Sequence, residues 1–454
     1  MEAKKGSLKS TIAVSLTNYL DAGAIVAGAS GLTLWQNYLG LTAGNLGWLN
    51  AISANCFGAA LGAIIGGFMA DKYGRKKIYT YNMLVYMLGV LIVMFSVNFP
   101  MLLLGFLITG ISVGVGVPAS WTYISENSEV NKRGRNMGIS QFMWGVGPFI
   151  ILILGMLLAP TGPLGGVVHK LGVLVHGEGN STAIDVFGNR IIFGTLFIVA
   201  FVAWLLQRQL NESEDWKEAK QAREKLAKGN REKQPSIFAS FGPLFRNKVN
   251  VRTIVFLAGI YLTWNFVAGV MGMFQPHIFE TAGGLTNAQA NLLSAVQWLV
   301  IILVTYFGFA MLVDRVNQRW LYFVGSMIGV GAWCVLAFVG IKNLSALWTF
   351  TLLWGVHAGV GVQAFYALWA SELFPTKYRA AAQGVMFFIV RGGAAIWSFV
   401  FVGIYGEHGE GFYMAAYIMI GLLLFATIVG SIWAPKTQGK TLKQIEQERY
   451  GDNV

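Results

Sequence analysis

Apolar residues fall in long runs near 11–36, 48–70, 78–97, 100–124, 136–160, 191–207, 251–275, 287–313, 320–340, 346–370, 381–405 and 413–434, separated by short polar segments. About 20 apolar residues wound into an α-helix cross a hydrocarbon core of roughly 30 Å. Lipid offers the backbone no hydrogen-bond partners, so each run is predicted as a membrane-spanning helix that satisfies its own amides. Twelve runs predict an all-α membrane protein with twelve transmembrane helices. Glycines spaced as in Gly110–Gly116 and Gly392-Gly393 allow helices to approach closely.

The polar segments orient these helices. Segments 40–48 and 281–288 carry no Lys or Arg, whereas 208–252 carries eleven Lys/Arg against six Asp/Glu, and both termini are basic. The positive-inside rule then puts the N-terminus, the C-terminus and the central segment in the cytoplasm, with the protein multi-pass in the plasma (inner) membrane. Lys4, Lys5 and Lys9 ahead of an apolar run resemble a signal peptide, with Ala22-Gly23-Ala24 as its cleavage site. The run continues to Trp35 with Asp21 in its middle, so a retained first helix is expected. The stretch EDWKEAKQAREKLAKGNREK at 214–233 alternates charge with helix formers and reads as a surface helix. The expected domains are a six-helix bundle over 1–208, a cytoplasmic linker over 209–250, a second six-helix bundle over 251–434 and a cytoplasmic tail over 435–454. The segment 161–190, containing GGVVHKLGVLVHG, is expected to cap the outer face.

Composition sharpens the picture. Only 12% of the 454 residues are charged, against about 25% in globular domains, and mean hydropathy is +0.57. The net charge of +12 sits in the loops, so topology accounts for it and no nucleic-acid partner is expected. Cys56 and Cys334 lie far apart inside apolar runs and are read as buried thiols. Metal-ligand clusters, phosphate-binding Gly-Lys-Ser/Thr loops and nucleophile constellations are absent from the sequence. The expectation is a non-enzyme without metal or cofactor, driven by an ion or solute gradient.

The halves repeat. Asp71 and Asp314 end the second and eighth runs 243 residues apart. Glu126 and Glu372 end the fourth and tenth runs 246 residues apart, as do the arginines that follow them, Arg133 and Arg379. A duplication of six helices explains this, giving two pseudo-symmetric six-helix bundles of the kind that rock around a midplane site. Carboxylate–guanidinium pairs are directional and can be bidentate. Asp71, Arg75, Glu126, Arg133, Asp314, Arg315, Glu372 and Arg379 are therefore expected to form a cytoplasmic gate that opens and closes with the transport cycle.

The loop GGFMADKYGRKK at 66–77 resembles the signature of the major facilitator superfamily, matched at Gly67, Asp71, Lys72, Gly74, Arg75 and Lys76. YISENSEVNKRG, SELFPTKYR, NESEDW at 211–216 and PKTQGKTL at 435–442 resemble loops of its sugar-porter branch. The resemblance spans nearly the whole chain and implies a secondary transporter. The seventh-helix stretch YLTWNFVAGVMGMFQPHIFE lacks the Gln-Gln pair of hexose carriers and keeps only Pro276, Ile278, Phe279 and Glu280 of the pattern. GVQAFYALWASE lacks the tenth-helix Pro-x-x-Pro-Trp.

Three ionisable residues sit mid-run: Asp21, His357 and Arg391. Charge at that depth is costly and is expected to face a partner or a wet cavity. Asp21 aligns with the first-helix aspartate of proton-coupled sugar porters, although Phe106 stands where those carriers have its arginine partner. Asp21 and His357 are the proton-coupling candidates. Arg391 resembles the eleventh-helix arginine of organic-ion carriers. Amide side chains and aromatic faces suit a polyhydroxylated solute, which makes Asn18, Gln141, Trp144, Trp264, Asn265, Gln297, Gln363, Tyr366, Trp369 and Arg391 the substrate-binding candidates. The resulting expectation is a monomeric, proton-coupled symporter of a sugar, an inositol-like polyol or a similar small solute in the lipid bilayer. A carrier of organic acids using Arg391 is the alternative. Drug efflux, faintly suggested by GVGPFIILILG at 145–155, and a non-transporting nutrient sensor rank lower.

Overall fold

The computed structural model describes residues 8–53, 56–73, 75–127, 133–210, 241–313, 315–440 and 442–451. These residues form helices and connecting turns, with no strand among them. Among the described residues, eleven helices are long and apolar enough to span a membrane, and Phe142–Leu158 supplies a shorter apolar segment that completes twelve. The all-α twelve-helix architecture follows. The chain divides into two compact units, Met1–Pro235 and Ser236–Val454. The surface helix expected at 214–233 lies outside the described residues.

The first unit contains α1 (Leu8–Ser30), α2 (Leu32–Leu39), α3 (Ala43–Ile52), α4 (Phe57–Tyr73), α5 (Arg75–Met94), α6 (Phe99–Asn127), α7 (Arg133–Leu158), α8 (Gly165–His176) and α9 (Ser181–Gln207). Helix α1 packs against α6, α7 and α9. Its carbonyls at Ala13, Leu20 and Ala27 lie seven residues apart, two helical turns each, and so share one stripe. Gln207 donates to the first at 2.9 Å, Tyr86 to the second at 3.0 Å and Asn189 to the third at 3.0 Å. Between α4 and α6, a Cβ on Gly62 would collide with the Ile111 carbonyl and one on Gly114 with the Ala59 carbonyl, so only glycine lets these backbones touch.

Three boundaries differ from the sequence expectation. The charge-free segment 40–48 already contains the start of α3, because Thr42 accepts from the Asn45 amide at 3.4 Å and caps it. The second span is split into α3 and α4, with the Ser53 hydroxyl turned onto the Asn50 carbonyl at 2.8 Å. Helix α9 starts ten residues before the expected run, at Ser181, capped by Asn180. Two of its polar residues, Asn189 and Arg190, are buried with partners. Asn189 accepts from the Trp35 indole at 2.7 Å, and Arg190 donates to the Ser96 carbonyl at 2.9 Å while lying 5.4 Å from the Trp35 ring and 5.3 Å from the Tyr38 ring. Arg190→Lys keeps the charge but loses the planar stack and fork. We expect a loss of about 1–2 kcal/mol, read as a lower melting midpoint in detergent.

The second unit contains α10 (Phe241–Arg246), α11 (Lys248–Thr281), α12 (Asn287–Leu303), α13 (Gln318–Cys334), α14 (Leu344–Val360), α15 (Val362–Glu372), α16 (Thr376–Tyr405), α17 (Phe412–Ile432) and α18 (Leu442–Tyr450). Asn247, Asn317 and Asn343 cap α11, α13 and α14, and Thr286 with Gln289 forms a capping box on α12. Helices α12 and α13 run on into π-helical turns, Val304–Phe309 and Val335–Val339. The tenth span is discontinuous: α14 stops at Val360, and Gly361 has ψ −148° before α15 begins. Any larger residue there would meet the His357 ring and carbonyl. The expected tail carries α18, whose Tyr450 hydroxyl bonds Asn250 at 2.7 Å and the Leu373 carbonyl at 3.1 Å.

Candidate functional site

In the first unit, Asn18 sits inside α1 facing α6 and α7. Its amide nitrogen donates to the Ser140 carbonyl at 3.4 Å and to the Ser140 hydroxyl, and its oxygen accepts from the Ser120 hydroxyl at 3.2 Å. Those contacts tie three helices together and leave little of the amide for a solute. Asp21, one turn further along α1, is 3% exposed. Its Oδ2 is buried with no hydrogen-bond partner among the described residues. Glycine at 116 lets α6 pass close beside it, since a Cβ there would collide with the Thr17 side chain and crowd the Asn82 amide. The neighbouring polar groups are already committed: Asn82 donates to the Ser112 carbonyl at 2.9 Å, and Tyr86 is spent on Leu20. Phe106 is buried edge-on to Phe193 at 6.1 Å, so this position brings no cation to Asp21. Trp144 is half-buried on α7, and the Gln141 side chain lies outside the described residues.

The second unit gathers the aromatic candidates around His357. The Trp264 indole donates to His357 Nε2 at 2.8 Å, and Nδ1 lies 2.9 Å from the Gly325 carbonyl. An indole can only donate and a carbonyl can only accept. Nε2 must therefore be the acceptor and Nδ1 must carry the hydrogen, which makes the ring the neutral Nδ1–H tautomer joining α11, α13 and α14. Tyr261 stacks on Trp264 at 5.8 Å and on Tyr366 at 3.8 Å with planes 4° apart. Asn265 donates to the Tyr261 carbonyl at 2.9 Å, leaving its oxygen to accept. Gln297 accepts from Gln275 at 2.9 Å, and Gln275 also donates to Ser294 at 3.2 Å. Gln363 is half-buried on α15. Trp369 is fully buried against Tyr322, Phe365 and Phe256 and reads as packing. Arg391 is half-buried on α16 with its guanidinium 5.0 Å from the Phe387 ring.

Tyr261 and Gln275 were not singled out from the sequence. Tyr261 stands three residues before Trp264, on the same helix face, and that spacing was the available signal. Gln275 is the sole amide in the last third of the seventh run and pairs with an amide of the next helix.

The gate residues sit at helix ends. Asp71 and Glu126 occupy the last turns of α4 and α6, Arg75 and Arg133 open α5 and α7, Glu372 ends α15 and Arg379 lies in the first turn of α16. The side chains of Asp71, Arg75, Glu126, Arg133 and Arg379, and all of Asp314, lie outside the described residues. Arg315 is exposed and Glu372 half-buried. Acids at helix C-termini and arginines at N-termini oppose the helix macrodipole.

Twelve apolar helices in two units, a buried acid in the first span and an aromatic-amide cluster on the seventh and tenth define a secondary transporter of the major facilitator fold. The chain belongs to the sugar (and other) transporter family, whose model matches residues 33–448. It is 40% identical over 444 residues, 98% of this chain and 94% of the relative, to the minor myo-inositol transporter IolF of Bacillus subtilis (strain 168). It is 25% identical to the galactose-proton symporter of Escherichia coli (strain K12), covering 79% of this chain and 76% of that one. Among solved structures, a D-xylose-proton symporter matches with a TM-score of 0.73 at 17% identity, over 95% of this chain and 99% of the other.

Proposed function

We propose that this protein imports an inositol-like polyol or a related sugar together with protons, by alternating access across the plasma membrane. In this reading it acts as a monomer with both termini cytoplasmic, segment 209–250 links two bundles and 435–454 forms a cytoplasmic tail. The observation that carries the coupling is the orphaned Asp21 carboxylate inside the first span. A buried carboxylate whose Oδ2 has no partner among the described residues can hold a proton and release it when water reaches it from the other side. Its relatives support the cargo: one is named for myo-inositol and another for galactose and protons.

For the solute we assign Asn265, Gln297 and Gln363 as hydrogen-bonding groups and Trp264 with Tyr366 as stacking faces. Within the first unit we assign Trp144 and Gln141 to solute contact and Asn18 to holding helices; within the second, Arg391 borders the solute. A sugar or polyol presents hydroxyls that both donate and accept, so amides match it better than charges do. We assign the acid–arginine positions at helix ends to the cytoplasmic gate, because each stands where the macrodipole disfavours it unless paired. Asp71→Asn then leaves equilibrium solute binding within about twofold and slows net transport roughly tenfold, the loss of about 1.4 kcal/mol of pairing in the closed state.

The deciding assay is uptake into proteoliposomes with an imposed inward proton gradient, offering polyols, hexoses and carboxylates in turn. Accumulation of polyol supports the proposal. Uptake confined to carboxylates and lost in Arg391→Ala would replace it with the organic-acid carrier.

A further inference from the structure

Helix α8 belongs to none of the groups above. It has 12 residues, a length of about 18 Å, too short to cross a core of roughly 30 Å. Connectors of six and four residues, 159–164 and 177–180, hold it at the ends of the spanning helices α7 and α9. One side is packed: Gly165, Val168 and Gly172 are buried, and a Cβ on Gly172 would already sit 3.0 Å from the Ile184 side chain of α9.

The adjoining side is apolar yet uncovered. Leu164 is 44% exposed, Val167 58%, Leu171 46%, Leu174 82% and Val175 62%. Their spacing of three and four residues draws a single stripe about 100° wide along the helix. Lys170 borders that stripe, and His169 is turned away towards a cleft it lines with Asp185 of α9. Burial and the nearby Arg190 guanidinium push the His176 imidazole below its usual range, so the end of the helix adds no charge at neutral pH. Five aliphatic side chains of this size offer only part of the roughly 800 Å² per partner that a stable protein interface buries. A short amphipathic helix tethered at the ends of two spans, with a lysine at its apolar margin, matches instead a helix lying in the headgroup layer.

We infer that α8 is an interfacial helix that inserts the Leu164–Val175 stripe into the lipid headgroup–acyl boundary on the side of the membrane opposite the N-terminus. Lys170 extends from the margin of the stripe to lipid phosphates, and the helix anchors the ends of α7 and α9 at a fixed depth.

The test uses full-length protein with Cys56→Ala and Cys334→Ala, carrying either Leu174→Cys or Gly166→Cys labelled with an environment-sensitive nitrobenzoxadiazole dye. Gly166 points away from the stripe, and a side chain added there meets nothing within 4 Å. In vesicles of phosphatidylethanolamine and phosphatidylglycerol, the dye at 174 should be quenched by a shallow spin-labelled lipid. It should also be at least about threefold less accessible to iodide than the dye at 166, as expected for a helix buried 5–10 Å into the interface. Equal iodide access at both positions overturns the inference. Shielding at 174 without lipid quenching, accompanied by energy transfer between labelled copies that grows with protein density, overturns it in favour of a contact between two copies. The Cys56→Ala, Cys334→Ala protein with no added cysteine gives the labelling blank.

Discussion

Asp21→Asn abolishes gradient-driven accumulation while leaving exchange of solute across the membrane. A symporter that carries one proton per solute can build a tenfold concentration ratio for each pH unit of gradient, because one unit is worth 1.36 kcal/mol. Asparagine has the shape of protonated aspartic acid but holds no exchangeable proton in this range. With two pH units imposed, the internal-to-external ratio should therefore fall from a limit of about 100 to about 1. Counterflow of labelled solute, which needs no net proton movement, should stay within about threefold of the parent. The surroundings favour this separation: Asp21 Oδ2 makes no hydrogen bond among the described residues. The amide thus breaks no hydrogen bond of Oδ2 to a described residue, and loss of folding is not expected to mask the result. If Asp21→Asn still accumulates solute in response to the gradient, the coupling assignment fails. If exchange disappears as well, Asp21 acts in solute binding or in the conformational step.

The spans were legible in the sequence because lipid imposes a simple rule: apolar runs of sufficient length become helices. What the pattern missed are polar residues used inside helices. Asn189 and Arg190 read as loop because they are polar, yet they sit within α9, where Trp35, Tyr38 and the Ser96 carbonyl satisfy them. Partners far away in sequence decide such cases, and no local window contains them. The break of the tenth span at Gly361 was hidden for the opposite reason, since a glycine amid apolar residues is ordinary in a membrane helix. At the site, residue types were readable but not their partners. Asn18 looked like a solute ligand until Ser120 and Ser140 were found using its amide. Trp369 looked like Trp264, but one is walled in by aromatic rings and the other is aimed by a histidine. Charge-pair roles at 71, 75, 126, 133 and 379 rest on spacing and helix-end position alone.

His357→Leu should be the most destabilising single change in the second unit without altering proton coupling. The histidine is fully buried, and both ring nitrogens are engaged, one by the Trp264 indole and one by the Gly325 carbonyl. Leucine fills much of the volume but leaves the buried Trp264 N–H unpaired and removes the second bond of the Gly325 carbonyl, which lies inside α13. A stranded donor costs about 1–3 kcal/mol and a lost bond about 1 kcal/mol, and partial rescue within a membrane bundle trims this. A net loss of about 2–4 kcal/mol is expected, seen as a reduced melting midpoint of the detergent-solubilised protein. Gln can restore the bond from Trp264 but cannot reach Gly325 with the same geometry, so His357→Gln should fall between the two. The freed indole should also tilt from the Tyr261 stack, which raises KM for uptake while Vmax changes less, because Trp264 is assigned to solute binding and not to the cycle. The coupling ratio separates this role from a proton relay. Loading a second proton on the ring would require Nε2 to give up the indole bond, so a structural His357 predicts an unchanged response to the pH gradient in His357→Gln. Loss of gradient-driven accumulation in that variant, with stability near the parent's, would instead make His357 part of the proton path beside Asp21.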